Sequence, residues 1–175
     1  WWRGALSRAA LMTGALERVA ALTVDYANER HQFGKAIATF QAVAQHLVKL
    51  TAETQLVLMA HATTVAALSR GPAPFEVAAF KAVAGEGASV VTARSHQAHG
   101  AIGMTQEYGL HQLSRRLWSW RQEWATPNEW ATRVGRMAEA GGLDGGEGPA
   151  GMVQALRDFL NGATARTWTL AVTSE

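Results

Sequence analysis

Five side chains or sets of side chains in this sequence are of types that do chemistry. His96 and His99 are spaced to share one helix face, as a pair of metal ligands would be, but no carboxylate stands at a matching position and no metal site is expected. Arg115 and Arg116, with Arg121, could draw a phosphate; they could equally form a solvated helix face. Trp118, Trp120, Trp124 and Trp130 crowd into a short stretch. They could line an apolar slot, stack on a ring, close a pocket, or build a satellite core around a helix start. Arg30 ends a long helical pattern, where its charge complements the helix dipole. His61, on an apolar face, reads as a core histidine with a hydrogen-bonded partner. Cysteine is absent, which excludes thiolate chemistry, disulfides and cysteine-ligated zinc or iron–sulfur clusters.

These residues need a scaffold, and its periodicity is helical. Apolar residues recur at helical spacing from about Ala5 to Arg30 and from about Thr39 to Arg70. Gly34 releases the chain between these two patterns, and Gly71-Pro72 closes the second. A third pattern runs from Phe75 to about Ile102, and its Gly85 and Gly87 imply close approach of another helix. A shorter helix is expected from about Glu107 to Trp120. In Thr126-Pro127-Asn128-Glu129 the threonine can cap free amides, proline suits the first helical position, and Glu129 can reach back to the cap. A last helix should therefore run from Pro127 to about Ala140.

The expected fold is all-α, an up-and-down four-helix bundle over residues 1–140. No sheet is expected in this body. Residues 141–149 read as a flexible Gly-rich linker, and 150–175 as a C-terminal extension with a short helix and an extended arm. At 175 residues the chain is long enough to bury a real core. Its net charge of +2 is dispersed along helices, so a nucleic-acid surface is not expected. No apolar run reaches the roughly 18 residues of a membrane span. Trp1-Trp2-Arg3 lacks the features of a secretory signal, and the cytoplasm is the expected compartment. The missing initiator methionine suggests a fragment.

Three segments together resemble the C-terminal helical domain of acyl-CoA dehydrogenases, in the family's order and at similar spacing. They are Arg30-His31-Gln32-Phe33-Gly34-Lys35 with Phe40-Gln41; Gln97 to Tyr108, containing Gly100-Ala101-Ile102-Gly103; and Leu113-Ser114-Arg115 followed by Ala125-Thr126. The resemblance covers roughly residues 5–140. It implies flavin adenine dinucleotide (FAD) in a groove between subunits of a dimer or tetramer, homo- or hetero-oligomeric. It also implies an acyl-CoA substrate in the complete enzyme and the possibility of an electron-acceptor protein. Arg30 would meet the cofactor's pyrophosphate with its fork of donors. Gln32 and Phe33 would line the same place, and Gln41 would lie near the adenine end. Gln97, Gly100 and Ala101 would hold the adenosine half from a neighbouring subunit. Thr126 and Asn128, at a helix start, would favour an anion or polar ligand oxygen.

The family's reaction needs a base against one carbon while flavin takes a hydride from the next. Most members place that carboxylate just before a Gly-Thr pair; here the pair is Ala125-Thr126 and the preceding residue is Trp124. A smaller branch places it where Ala5 aligns. Glu123 is the nearest carboxylate and the candidate base, one position, or about 100° of helix, away. Arg116 replaces a usual acidic residue and Ala101 a glycine. The family's other two domains are not in the sequence. The chain is then part of a larger dehydrogenase or a short subunit completed by another chain; the alternatives are a catalytically inactive family member, or a helical interaction module, that supports a partner subunit.

Overall fold

The computed structural model describes residues 1–105 and 108–141. It holds five α-helices: α1 (Trp2–Glu29), α2 (Gln41–Leu68), α3 (Pro74–His99), α4 (Leu110–Gln122) and α5 (Pro127–Gly141). Gly141, the predicted first residue of the linker, ends α5 instead; the rest of the predicted linker and the extension lie outside the described residues, as does Glu107, the predicted start of the fourth helix. The chain divides into two compact units, Trp1–Arg133 and Val134–Glu175, and the division falls within α5.

The first unit has one apolar core. Met12, Leu16 and Val19 of α1, Leu50 and Val57 of α2, Phe80, Ala84 and Val91 of α3, and Leu110 and Leu117 of α4 are buried together. The threonines among them keep their hydroxyls satisfied without leaving the core. Thr13, Thr23, Thr54, Thr64 and Thr92 each donate to the carbonyl four residues back, at 2.6–3.0 Å. His61 stacks on Phe80, with centroids 5.3 Å apart, where the sequence led to expect a hydrogen-bonded partner.

The two α3 glycines are explained by contact. A Cβ on Gly85 would stand 2.7 Å from Pro127 Cγ, and one on Gly87 would stand 2.7 Å from Val57 Cγ2. Neither position has room for a side chain without displacing a packed neighbour. Pro74 takes the first turn of α3, where its missing N–H costs nothing.

The chain between α1 and α2 departs from the all-helical expectation. His31–Gln32 (β1) and Lys35–Ala36 (β2) pair as a small antiparallel hairpin, His31 opposite Ala36 and Gln32 opposite Lys35. Phe33 at φ 51° and Gly34 at φ 80° form its two-residue turn, and two positive φ angles give the twist that suits a tight hairpin. Ile37 N–H donates to Arg30 C=O at 2.8 Å and closes the base. A single 3₁₀ turn, Ile37–Thr39, then leads into α2.

Candidate functional site

Arg30 caps the end of α1 in extended conformation, its N–H donating to Tyr26 C=O at 2.8 Å. Its side chain and those of Gln32, Phe33 and Gln41 face solvent. Among the described residues Arg30 has no carboxylate partner. Phe33 is 93% exposed. Its ring makes an edge contact with Phe40, whose own face receives the Lys35 ammonium 4.5 Å from the centroid. A non-glycine residue in the left-handed region with a bare aromatic ring costs stability twice over, in backbone conformation and in exposed apolar area. Gln41 opens α2 and borders a shallow apolar depression with Ala44, Val48 and Ala52.

The C-terminal end of α3 adjoins this corner, because Tyr26 stacks on His99 with centroids 4.5 Å apart. Gln97, Gly100 and Ala101 are exposed there. Gly100, at φ 64° with open space over its Cα, turns the chain out of α3 as only glycine does readily. His99 Nδ1–H donates to Ser95 C=O at 2.8 Å. His96 Nε2–H meets Ser114 Oγ at 2.8 Å, that hydroxyl donating in turn to Leu110 C=O. In each ring the second nitrogen is buried and unpartnered among the described residues. Burial lowers the pKa of both, the lone cause at His96 and the leading one at His99. Among the described residues no group of three His, Cys, Asp or Glu could hold a metal ion.

Thr126 and Asn128 lie elsewhere. Pro127 sits on Gly85, fifteen residues before Gly100, or about 22 Å of helix rise. Trp124 sits on Gly4, about 39 Å of helix rise before Arg30. Within one chain the structure brings Arg30, Gln32, Phe33, Gln97, Gly100 and Ala101 to one end, and leaves Thr126 and Asn128 well away from it.

At the α4–α5 turn the reactive groups are engaged internally. Thr126 N–H and Oγ each donate to the Glu129 carboxylate at 2.8 Å, and Glu129 N–H donates to Thr126 Oγ at 3.3 Å. This is the expected capping box. It lowers the Glu129 pKa, and it occupies donors that the family resemblance assigns to a ligand. Glu123, the candidate base, is ion-paired with Arg8 of α1 and accepts from Ser119 Oγ at 3.3 Å. The Trp124 indole lies so close over Gly4 that no Cβ would fit there. Ala5, the other position to which the resemblance points for a base, is fully buried.

The four tryptophans do not form one slot. Trp118 Nε1–H donates to Thr92 Oγ1 at 3.1 Å, and Trp120 packs against the core beneath the Arg8 guanidinium. Trp130 is fully buried in a satellite cluster with Trp1 and Trp2, and its Nε1–H donates to Trp124 C=O at 2.9 Å. Arg115 and Arg116 line a shallow polar groove with Gln112, Ser119 and Trp120. Three residues that local reading missed belong to this turn: Gly4, Arg8 and Lys81. Lys81 alone left a trace, a cation in register with the buried Val77, Ala84 and Ala88.

The pattern described as acyl-CoA dehydrogenase, C-terminal domain, matches residues 3–149. Acyl-CoA dehydrogenase IpdE2 of Mycobacterium tuberculosis is 33% identical over 130 residues, which are 74% of this chain and 40% of that protein. The ChsE4-ChsE5 complex from Mycobacterium tuberculosis contains a similar chain, with TM-score 0.73 and 26% identity over 76% of this chain and 36% of that one. The structure of PigA with FAD and proline is similar at TM-score 0.71 and 25% identity, over 77% of this chain and 35% of PigA. This chain belongs to the acyl-CoA dehydrogenase family and matches its C-terminal domain. It spans about two fifths of the length of IpdE2.

Proposed function

We propose that this chain is the flavin-holding C-terminal domain of an FAD-dependent protein that dehydrogenates an acyl-CoA thioester between its α and β carbons, with each flavin shared between subunits. The carrying observation is the end of the molecule where Arg30, Gln32 and Phe33 face solvent with Gln97, Gly100 and Ala101. A guanidinium without a carboxylate partner among the described residues suits a pyrophosphate, and an aromatic ring held out on a hairpin suits stacking. The open backbone at Gly100 lets a nucleoside approach closely. Thr126 and Asn128 lie too far along the helices to share one ligand with Arg30 in the same chain, which favours a site completed by a second subunit. Gln41 borders that site at the start of α2. The bound flavin would supply the hydride acceptor. An electron-acceptor protein, lipid or fatty-acid metabolism and a cytoplasmic setting follow from the same reading. Among the described residues no helix is long and apolar enough to cross a membrane.

A second reading, a catalytically inactive member that supports a partner subunit, is favoured by the α4–α5 turn. Trp124 and Ala5 carry no proton-accepting group, and Glu123 is held by Arg8. The base would then come from another chain.

The complex isolated through this chain provides the test. Arg30→Ala should weaken flavin binding by about 1.5–3 kcal/mol, the worth of a charge-assisted hydrogen bond, measured by titrating FAD against flavin absorbance. Unchanged affinity would return Arg30 to complementing the helix dipole. The readings part at Glu123→Gln, since a working base cannot be neutralised without loss of turnover.

A further inference from the structure

We infer that Lys81, through the carbonyls of Trp120 and Arg121, is the positioning residue of the α4–α5 turn. Lys81 lies on the buried face of α3 with no exposed surface. Its Nζ donates to the carbonyls of Trp120 and Arg121 at 3.1 Å each. These belong to the last turn of α4, where carbonyls lack intrahelical partners and the helix dipole is negative. The amine thus ends α4 at a fixed place. Directly beyond, Glu123 leaves the helix in extended conformation, and Trp124 and Ala125 take φ 62° and 90°. Such angles persist in non-glycine residues only where the surroundings impose them. Trp130 fixes the turn from the far side through the Trp124 carbonyl, and Gly4 receives the indole.

A buried ammonium needs compensation. The charged groups that face it are Glu123 on the turn and Arg121 on α4; Arg8 of α1 joins through Glu123. On α2, His61 stacks on the adjacent Phe80. Burial brings the Lys81 pKa down to about 8, Glu123 acting to raise it and Arg121 to lower it further. Glu123 is ion-paired with Arg8 and adds a longer-range attraction to Lys81. When Lys81 loses its proton, the pull on both α4 and Glu123 weakens and the turn relaxes. This assignment stands on the chain's own contacts and does not depend on flavin.

The test is a pH titration of the full chain by NMR, following the Lys81 side-chain signals and the Ala125 methyl between about pH 6 and about pH 11. Both should titrate together with a midpoint near 8. In Glu123→Gln both midpoints should fall together, and in Lys81→Met the methyl should stop titrating. The inference is overturned if Lys81 titrates near its ordinary 10.5, or if the methyl stays fixed while Lys81 titrates. It is also overturned if Glu123→Gln moves the methyl alone. Should Lys81→Met not fold, the wild-type and Glu123→Gln titrations decide.

Discussion

At the corner between α1 and α2, the side chains that could do chemistry face outward, whereas at the turn between α4 and α5 they have been taken up by the chain itself. Phe33 and Trp124 show the contrast, since both are aromatic residues held at positive φ. Phe33 extends a ring into solvent from a hairpin that makes no use of it. Trp124 lays its ring on Gly4, and its carbonyl is held by Trp130. Arg30 and Arg8 differ in the same way, the first without a carboxylate partner among the described residues and the second closed on Glu123. Strain alone does not mark a ligand surface. Strain rewarded inside the chain by no more than an edge contact is the more informative sign.

The strongest way to break the contrast is at the packed end. Trp130→Ala removes a fully buried indole and the donor that holds the Trp124 carbonyl. It should cost about 3–5 kcal/mol in a urea denaturation series. A loss below about 1 kcal/mol would mean that the cluster does not hold the turn. A smaller effect is expected from acid at the corner end. Burial lowers the pKa of His96 and His99 in the folded chain, while in the unfolded chain each takes a proton near 6.5. Below that pH the unfolded state binds more protons, so stability should fall as pH drops from about 6.5 toward 5. His99→Phe should flatten that slope. The smallest change is at Phe33. Asparagine tolerates the left-handed region at a hairpin turn, so Phe33→Asn should raise the free chain's melting stability by up to about 1 kcal/mol. By the proposed role of the ring, the same change weakens flavin binding.

Features carried by neighbouring residues were legible in the sequence. Thr126-Pro127-Asn128-Glu129 states its own cap, and Gly85 and Gly87 in a helical run imply the contacts found with Pro127 and Val57. The hairpin was not legible, because two-residue strands are too short to show alternation and phenylalanine is not the residue such a turn prefers. The Arg8–Glu123 pair joins residues 115 apart, a relation no local pattern carries. That pair decides how Glu123 is read. The family resemblance assigned Arg30 and Thr126 to a flavin groove between subunits, and helix length separates the two within one chain.

The hairpin has a thermodynamic consequence. Two ladder pairs, the Ile37–Arg30 bond and the Phe40 edge contact fix the direction of the Phe33 ring before any ligand arrives. A planar group that docks on it need not order a loop, and association is spared the conformational entropy that a flexible contact would lose. The corner thus acts as a preorganised surface whose conformational cost is met during folding.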